Sequence, residues 1–381
     1  MPSLLRDRPA STPEMLAVFG DEALLKAALA FEAELALAQA ELGLIPPGDA
    51  EAIAAACAST LDIAELAEAA AHAGTLAIPL VERLRARVSP PEAAARVHKG
   101  ATSQDLADTA LMLQARDGAA LIRRDATRLA DALAALALKH QSTPMLGRTL
   151  LQAALPITFG LKVSTWLSGV AGALERFERE TAAIRLQFGG ATGSRAGLDG
   201  QGAALAELLA ARLNLPPALP WHAERQDVAG LASALAILTG AISKIAGDVA
   251  LMAQVEVGEA FEPRQTGRGG SSAMAHKRNP TGCQVALSAA IRAPHLAATI
   301  VSALPQQHER GLGGWQAEAP VLAELFQLTH GALAAMAAVI EGLEVDEGRM
   351  AANLTSAQVG TDTGESAALV AQALAAYEKD R

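Results

Sequence analysis

The stretch VAGLASALAILTGAISKIAGDVALM, residues 228–252, decides the fold class. Its large apolar residues are Val228, Leu231, Leu235, Leu238, Ile242, Ile245, Val249 and Met252, spaced alternately by three and four. That spacing is the a/d seam of a helical bundle or coiled coil. The pattern predicts one long helix from Trp221 to about Phe261, which at 1.5 Å per residue spans roughly 60 Å. Two further apolar segments flank it, from about Leu151 to Phe188 and from about Thr281 to Leu304. Helices that are apolar on more than one side call for partners beyond the local core, so the seam is expected to build an oligomeric bundle.

Composition supports an all-α protein. Of the 381 residues, 51% are hydrophobic but only 3% aromatic. The apolar content is mainly Ala and Leu, which favour helices over strands. Ser89-Pro90-Pro91 and Leu44-Ile45-Pro46-Pro47-Gly48 punctuate the first hundred residues. The chain divides into an N-terminal helical domain (1–105), a central long-helix bundle (106–345) and short C-terminal helices (346–381).

Several function classes drop out. A formal charge of −10 argues against a nucleic-acid surface, although a local cationic pocket can still receive a small anion. Sixteen residues separate Asp227 from Lys244, and such uncharged runs fall short of the roughly 20 that a membrane span requires. Arg6, Asp7 and Arg8 occupy the place of a signal peptide's apolar region, so a cytoplasmic protein is expected. Cys57 and Cys283 make no disulfide framework, and neither they nor the eight histidines form a zinc pattern. The glycine-rich Gly189–Gly197 segment has no strand before it and is not a dinucleotide loop.

The candidate site is Gly267-Arg268-Gly269-Gly270-Ser271-Ser272-Ala273-Met274-Ala275-His276-Lys277-Arg278-Asn279-Pro280, a polar loop between two apolar helices. Its glycines let backbone approach a ligand, Lys277 brings a compact positive charge and Asn279 an amide donor. This set suits a carboxylate that gains charge during reaction. Residues 270–279 match the Gly-Ser-x-x-Met-x-x-Lys-x-Asn signature at every fixed position, and the chain resembles the fumarase/aspartase superfamily. The resemblance extends over residues 10–355. It implies a homotetramer whose active sites draw on three subunits, a small polycarboxylate substrate and no cofactor or metal. It makes Ser271 the proton-transferring residue, with Ser272 as the alternate, and gives Lys277 and Asn279 to a substrate carboxylate. Ala275 stands where relatives carry proline.

Two other segments resemble the superfamily's remaining active-site regions. In His98-Lys99-Gly100-Ala101-Thr102-Ser103-Gln104-Asp105, the resemblance assigns His98, Thr102, Ser103 and Gln104 to substrate. On the residues alone, Thr-Ser is equally a helix N-cap and His98 equally a structural histidine. Gly147-Arg148-Thr149-Leu150-Leu151-Gln152 is similar to a lyase Arg-Thr-His-x-Gln stretch, and makes Arg148, Thr149 and Gln152 substrate contacts. Leucine at 150 replaces the histidine and cannot transfer a proton. That replacement, with Leu219-Pro220-Trp221-His222 and the His308–Glu318 stretch containing Trp315 and Glu318, resembles the 3-carboxy-cis,cis-muconate cycloisomerase branch, acting in aromatic-compound degradation through β-ketoadipate. Trp315 and Glu318 are expected to line the pocket. The competing readings are an adenylosuccinate-type C–N lyase and a non-catalytic scaffold.

Overall fold

The computed structural model describes residues 4–270, 274 and 277–380. Short helices α1 (Pro13–Val18), α2 (Asp21–Glu41), α3 (Pro47–Cys57), α4 (Ile63–Ala73) and α5 (Ala77–Arg85) pack around the start of α6 (Ser103–Lys139). A hairpin follows, β1 (Pro144–Thr149) and β2 (Gln152–Thr158), then α7 (Phe159–Glu180), α8 (Gly202–Leu213) and α9 (Gln226–Met252). Strand β3 (Ala260–Phe261) precedes α10 (Thr281–Ser302) and α11 (Gly314–Glu341). Strand β4 (Glu344–Val345) pairs antiparallel with β3 and leads to α12 (Glu347–Ala357) and α13 (Ser366–Asp380). Helices α6, α7, α9, α10 and α11 pack side by side as the central bundle, so the all-α, long-helix architecture is present. Helix α6 begins at Ser103, which puts residue 105 inside its first turn.

The α9 seam lies inside this single chain: all eight of its apolar residues are buried. Burying each such side chain stabilises the fold by about 1.5–3 kcal/mol. The expectation that the seam itself joins different copies is therefore corrected. It is the opposite side, Ile237, Gly240, Lys244, Gly247 and Leu251, that is open, and a side chain added at Gly240 or Gly247 would meet nothing.

Both ends of this helix also differ from the pattern. Helix α9 starts only at Gln226 because Trp221 is held outside it, its amide donating to Gln187 Oε1 (3.0 Å) and its indole to the Leu186 carbonyl (2.9 Å). It stops at Met252, and Glu259 turns back to donate to the Met252 carbonyl through Gly258 at φ +64°.

A further difference is the hairpin, which replaces the expected helical start at Leu151. Leu150 and Leu151 form its two-residue turn at φ +49° and +64°, and Gly147 lets the strands close, since a Cβ there would sit 2.5 Å from the Leu155 carbonyl oxygen. Three helices, α9, α10 and α11, are long and apolar enough to cross a membrane by length and composition, contrary to the expectation from uncharged runs. Isolated charges such as Lys244 interrupt a run without making the helix polar.

Candidate active site

The up-and-down course of the helices gives the bundle two ends. Helices α6, α9 and α11 start at one end, where α7 and α10 finish, as the contacts of Thr102, Gln187, Arg225, Arg310 and Glu318 show. The hairpin, the 253–280 connection and β4 gather at the other, joined by Arg148–Glu259 and Arg278–Glu344. With 27 residues in α9 and 37 in α6, the ends stand about 40–55 Å apart.

At the first end, Asp105 organises the backbone. Its carboxylate accepts from the amides of Thr102 (3.0 Å), Gly189 (2.9 Å) and Gly190 (2.8 Å), and from His222 Nε2 (2.7 Å). This pins the Gly189–Gly197 segment against the His98–Asp105 loop, at an approach so close that a Cβ on Gly189 would clash with His222 and Pro220. Thr102 occupies the N-cap position of α6, yet its hydroxyl accepts from Arg310 Nη2 (2.8 Å). Arg310 also donates to the Ala191 carbonyl (3.0 Å), while its buried Nε has no partner among the described residues. Sequence reasoning did not single out Arg310 within the His308–Glu318 stretch; the one signal available was a basic residue in a motif otherwise rich in glycine. Ser103 is half-buried beside it, and His98 lies at φ +64° with Nδ1 2.5 Å from Glu32 Oε1.

Three of the residues expected to contact substrate are engaged inside this chain. Gln104 is fully buried and donates to the His222 carbonyl (3.0 Å). Glu318 is fully buried against Arg225, whose guanidinium also takes both oxygens of Asp108 (2.8 and 3.0 Å) and stacks on Trp221 at 4.5 Å. Burial raises the Glu318 carboxyl and Arg225 only partly offsets it, so the group sits above the usual carboxylate range. Arg148, at the other end, spends both terminal nitrogens on the buried Glu259 (2.8 and 2.7 Å), which Asn353 also contacts (2.8 Å). These ionic networks position segments, because each buried carboxylate is held by the hydrogen bonds of its arginine. Trp315 is half-buried, and its indole N–H has no partner among the described residues.

At the second end, a cavity of about 180 Å³ is lined by Phe261, Glu262, Arg268, Lys277, Arg278 and Asn279. Asn279 closes the base of the loop: its backbone amide donates to the Gly269 carbonyl (2.8 Å) and its side chain to that of Gly270 (3.2 Å). Glycine at 269 is required at φ +70°, where a Cβ would lie 2.7 Å from Asn279 O. Glu262 accepts the first amides of α10, from Gly282 (3.0 Å) and Cys283 (2.8 Å). Arg278 is anchored on the Glu262 carbonyl (2.7 Å), Glu344 (3.0 Å) and the Phe261 ring. Lys277 is exposed and, among the described residues, has no acidic partner. Ser271 and Ser272 lie outside the described residues. Thr149 and Gln152 are exposed on either side of the hairpin turn, where Leu150 is 96% exposed.

One chain therefore brings Lys277 and Asn279 to the hairpin end, and His98, Thr102 and Ser103 to the opposite end. The two cysteines are buried and free, and burial, with Glu32 nearby, pushes the Cys57 thiol up to about 12.

The model of the lyase family matches residues 8–294. The 3-carboxy-cis,cis-muconate cycloisomerase of Bradyrhizobium diazoefficiens is 50% identical over 351 residues, 90% of this chain and 77% of that protein. The enzyme of the same name from Pseudomonas putida is 45% identical, covering 94% of this chain and 86% of its own length. Among solved structures, the 3-carboxy-cis,cis-muconate lactonizing enzyme from Pseudomonas putida superposes with a TM-score of 0.92 at 36% identity, covering 99% of this chain and 100% of that one.

Proposed function

The chain belongs to the lyase family, and from that premise we propose that it is a cytoplasmic 3-carboxy-cis,cis-muconate cycloisomerase. Leucine at position 150 carries this choice within the family. A C–N lyase must protonate a departing amine, and a fully exposed leucine at the hairpin turn has no proton to give. Ring closure has no departing group. One carboxylate oxygen of the muconate adds to an alkene carbon, electrons move onto the neighbouring carbon and its carboxylate, and that carbon then receives a proton.

In this reading Ser271 delivers the proton, with Ser272 as the alternate, and Lys277 with loop N–H groups holds the carboxylate whose charge grows. Because both reacting groups belong to one molecule, much of the acceleration comes from fixing its conformation. His98, Thr102, Ser103 and Arg310 bind the substrate's other carboxylates, and Thr149 and Gln152 line the hairpin side.

The separation of the two ends supports a composite site. No single substrate reaches across about 40 Å, so different copies supply the Thr102 end, the hairpin and the 270s loop, as in a homotetramer. The exposed Leu150, Leu151 and Leu155 and the open side of α9 are the surfaces such an assembly would cover.

The test compares 3-carboxy-cis,cis-muconate with adenylosuccinate on the native protein and on Leu150→His. Lactone formation by the native chain, not improved by the substitution, is expected. Amine release by the native chain that rises about a hundredfold with the histidine, and no lactone, would replace this assignment with a C–N lyase.

A further inference from the structure

Glu32 is buried in the middle of α2, 66 residues before the His98–Asp105 segment in sequence. One of its oxygens meets His98 Nδ1 at 2.5 Å and the other has no hydrogen-bond partner among the described residues. A carboxylate so poorly satisfied is an expensive way to fill a core, since an apolar side chain of that size would cost nothing in desolvation. What it touches accounts for it.

His98 is held by more than this contact. Gln39 Nε2 donates to the Lys99 carbonyl (2.6 Å), Arg85 to that of Val97 (3.1 Å), and Lys99 Nζ to that of Leu44 (3.1 Å). Helices α2 and α5 thus grip the backbone on both sides of a non-glycine residue at φ +64°, a conformation that L side chains rarely adopt. The His98 side chain is 14% exposed. With Nδ1 committed to Glu32, Nε2, which has no partner among the described residues, is the nitrogen left for a ligand.

We propose that Glu32 is a positioning residue: it orients His98 so that Nε2 binds a substrate carboxylate beside Thr102 and Arg310. This deepens the cycloisomerase reading and rests on it for the ligand. The groups that face the ring are Glu32 on α2, Asp105 on α6 and Arg85 on α5. Burial pulls the imidazole down, but the Glu32 hydrogen bond and charge, with the Asp105 charge, outweigh both burial and Arg85, and the ring titrates above its ordinary value. Charge on His98 thus persists to higher pH than in a free histidine, and removing Glu32 must bring it down.

Glu32→Gln keeps the shape and removes the charge, while Glu32→Asp keeps the charge on a shorter arm. Ring NMR titration of the full-length protein, with the His98 signal identified by its loss in His98→Asn, reads the protonation directly. Its midpoint should fall by about one pH unit or more in Glu32→Gln. At pH 8 the KM for 3-carboxy-cis,cis-muconate should rise about tenfold with kcat nearly unchanged, as loss of a charge-assisted hydrogen bond predicts. Lowering the pH to about 6, where an ordinary imidazole is charged, should restore much of the KM, and Glu32→Asp should behave like the native protein. An unchanged His98 midpoint, or a loss that is equal at both pH values, would overturn the proposal and leave Glu32 a core residue. If the native protein fails to lactonise the substrate, the functional reading falls instead, and the titration still decides the dyad.

Discussion

Two variants, each disabled at a different end of the bundle, should restore one another. Arg310→Met removes the cation that contacts Thr102, and Lys277→Met removes the exposed cation of the 270s loop. Each should lower turnover by about a hundredfold or more, the scale of a lost charged contact at a reacting centre. Helix α9, with 27 residues, keeps the two positions about 40 Å apart in one chain. In the proposed composite site, Arg310 comes from one copy and Lys277 from another. When the two variants are mixed equally and reassembled, the chance that both contributions are native is one half multiplied by one half, so about one quarter of the sites recover. The assay is lactone formation after the mixture has been dissociated in mild denaturant and diluted, with light scattering to establish that mixed oligomers have formed. Activity no higher than that of either variant alone, in a sample shown to contain both chains in one assembly, would refute the composite site.

Leu238 is fully buried in the seam, so Leu238→Asp should unfold the chain and not merely dissociate it, with a loss of about 3–5 kcal/mol seen by circular dichroism during urea unfolding. Ser271→Ala should leave folding and oligomer size intact and lower turnover by about two orders of magnitude; retention of full activity by Ser271→Ala alongside its loss in Ser272→Ala would move the role to the second serine. Asp125, although burial opposes its charge, is held below the usual carboxylate range by His330 and Arg124. Its folded pKa is lowered, so the stability it contributes is present above the ordinary carboxylate value and is lost as pH falls through the folded one. Asp125→Asn should accordingly lower Tm at pH 7, and the gap to the native protein should narrow as the buffer is acidified.

The bundle was legible because the three-four spacing from Val228 to Met252 survives in one chain without help from its surroundings. Its direction was not: a helix with large residues on one side and Gly240 and Gly247 on the other looks ready to pack both ways, and only the neighbouring helices decide which side is the core. The hairpin was hidden because Leu150-Leu151-Gln152-Ala153-Ala154-Leu155 has helix-forming residues, whereas its turn needs two left-handed leucines that no local preference favours. The long α11 went unread, its start masked by the polar His308–Glu318 motif. At the candidate site, Lys277 and Asn279 stood out by residue type in a polar, glycine-rich loop, whereas Thr102 and Ser103 were assigned only through the family resemblance. Arg148 and Glu318 could not be seen as framework, because Glu259 and Arg225 are distant in sequence and meet them only through the fold. Glu32 was illegible for the same reason, 66 residues before the histidine it touches.

The leucine turn sets a limit on how this chain can be improved. Anyone stabilising a lone subunit would begin there, because Asn-Gly suits a two-residue turn of this kind and would relieve two strained backbones while hiding apolar surface from water. Each change would look favourable by melting temperature and by solubility. Yet Leu150 and Leu151 project from the edge on which the proposed assembly depends, so a selection that rewards only the thermal endurance of separate molecules would enrich soluble chains that no longer find one another.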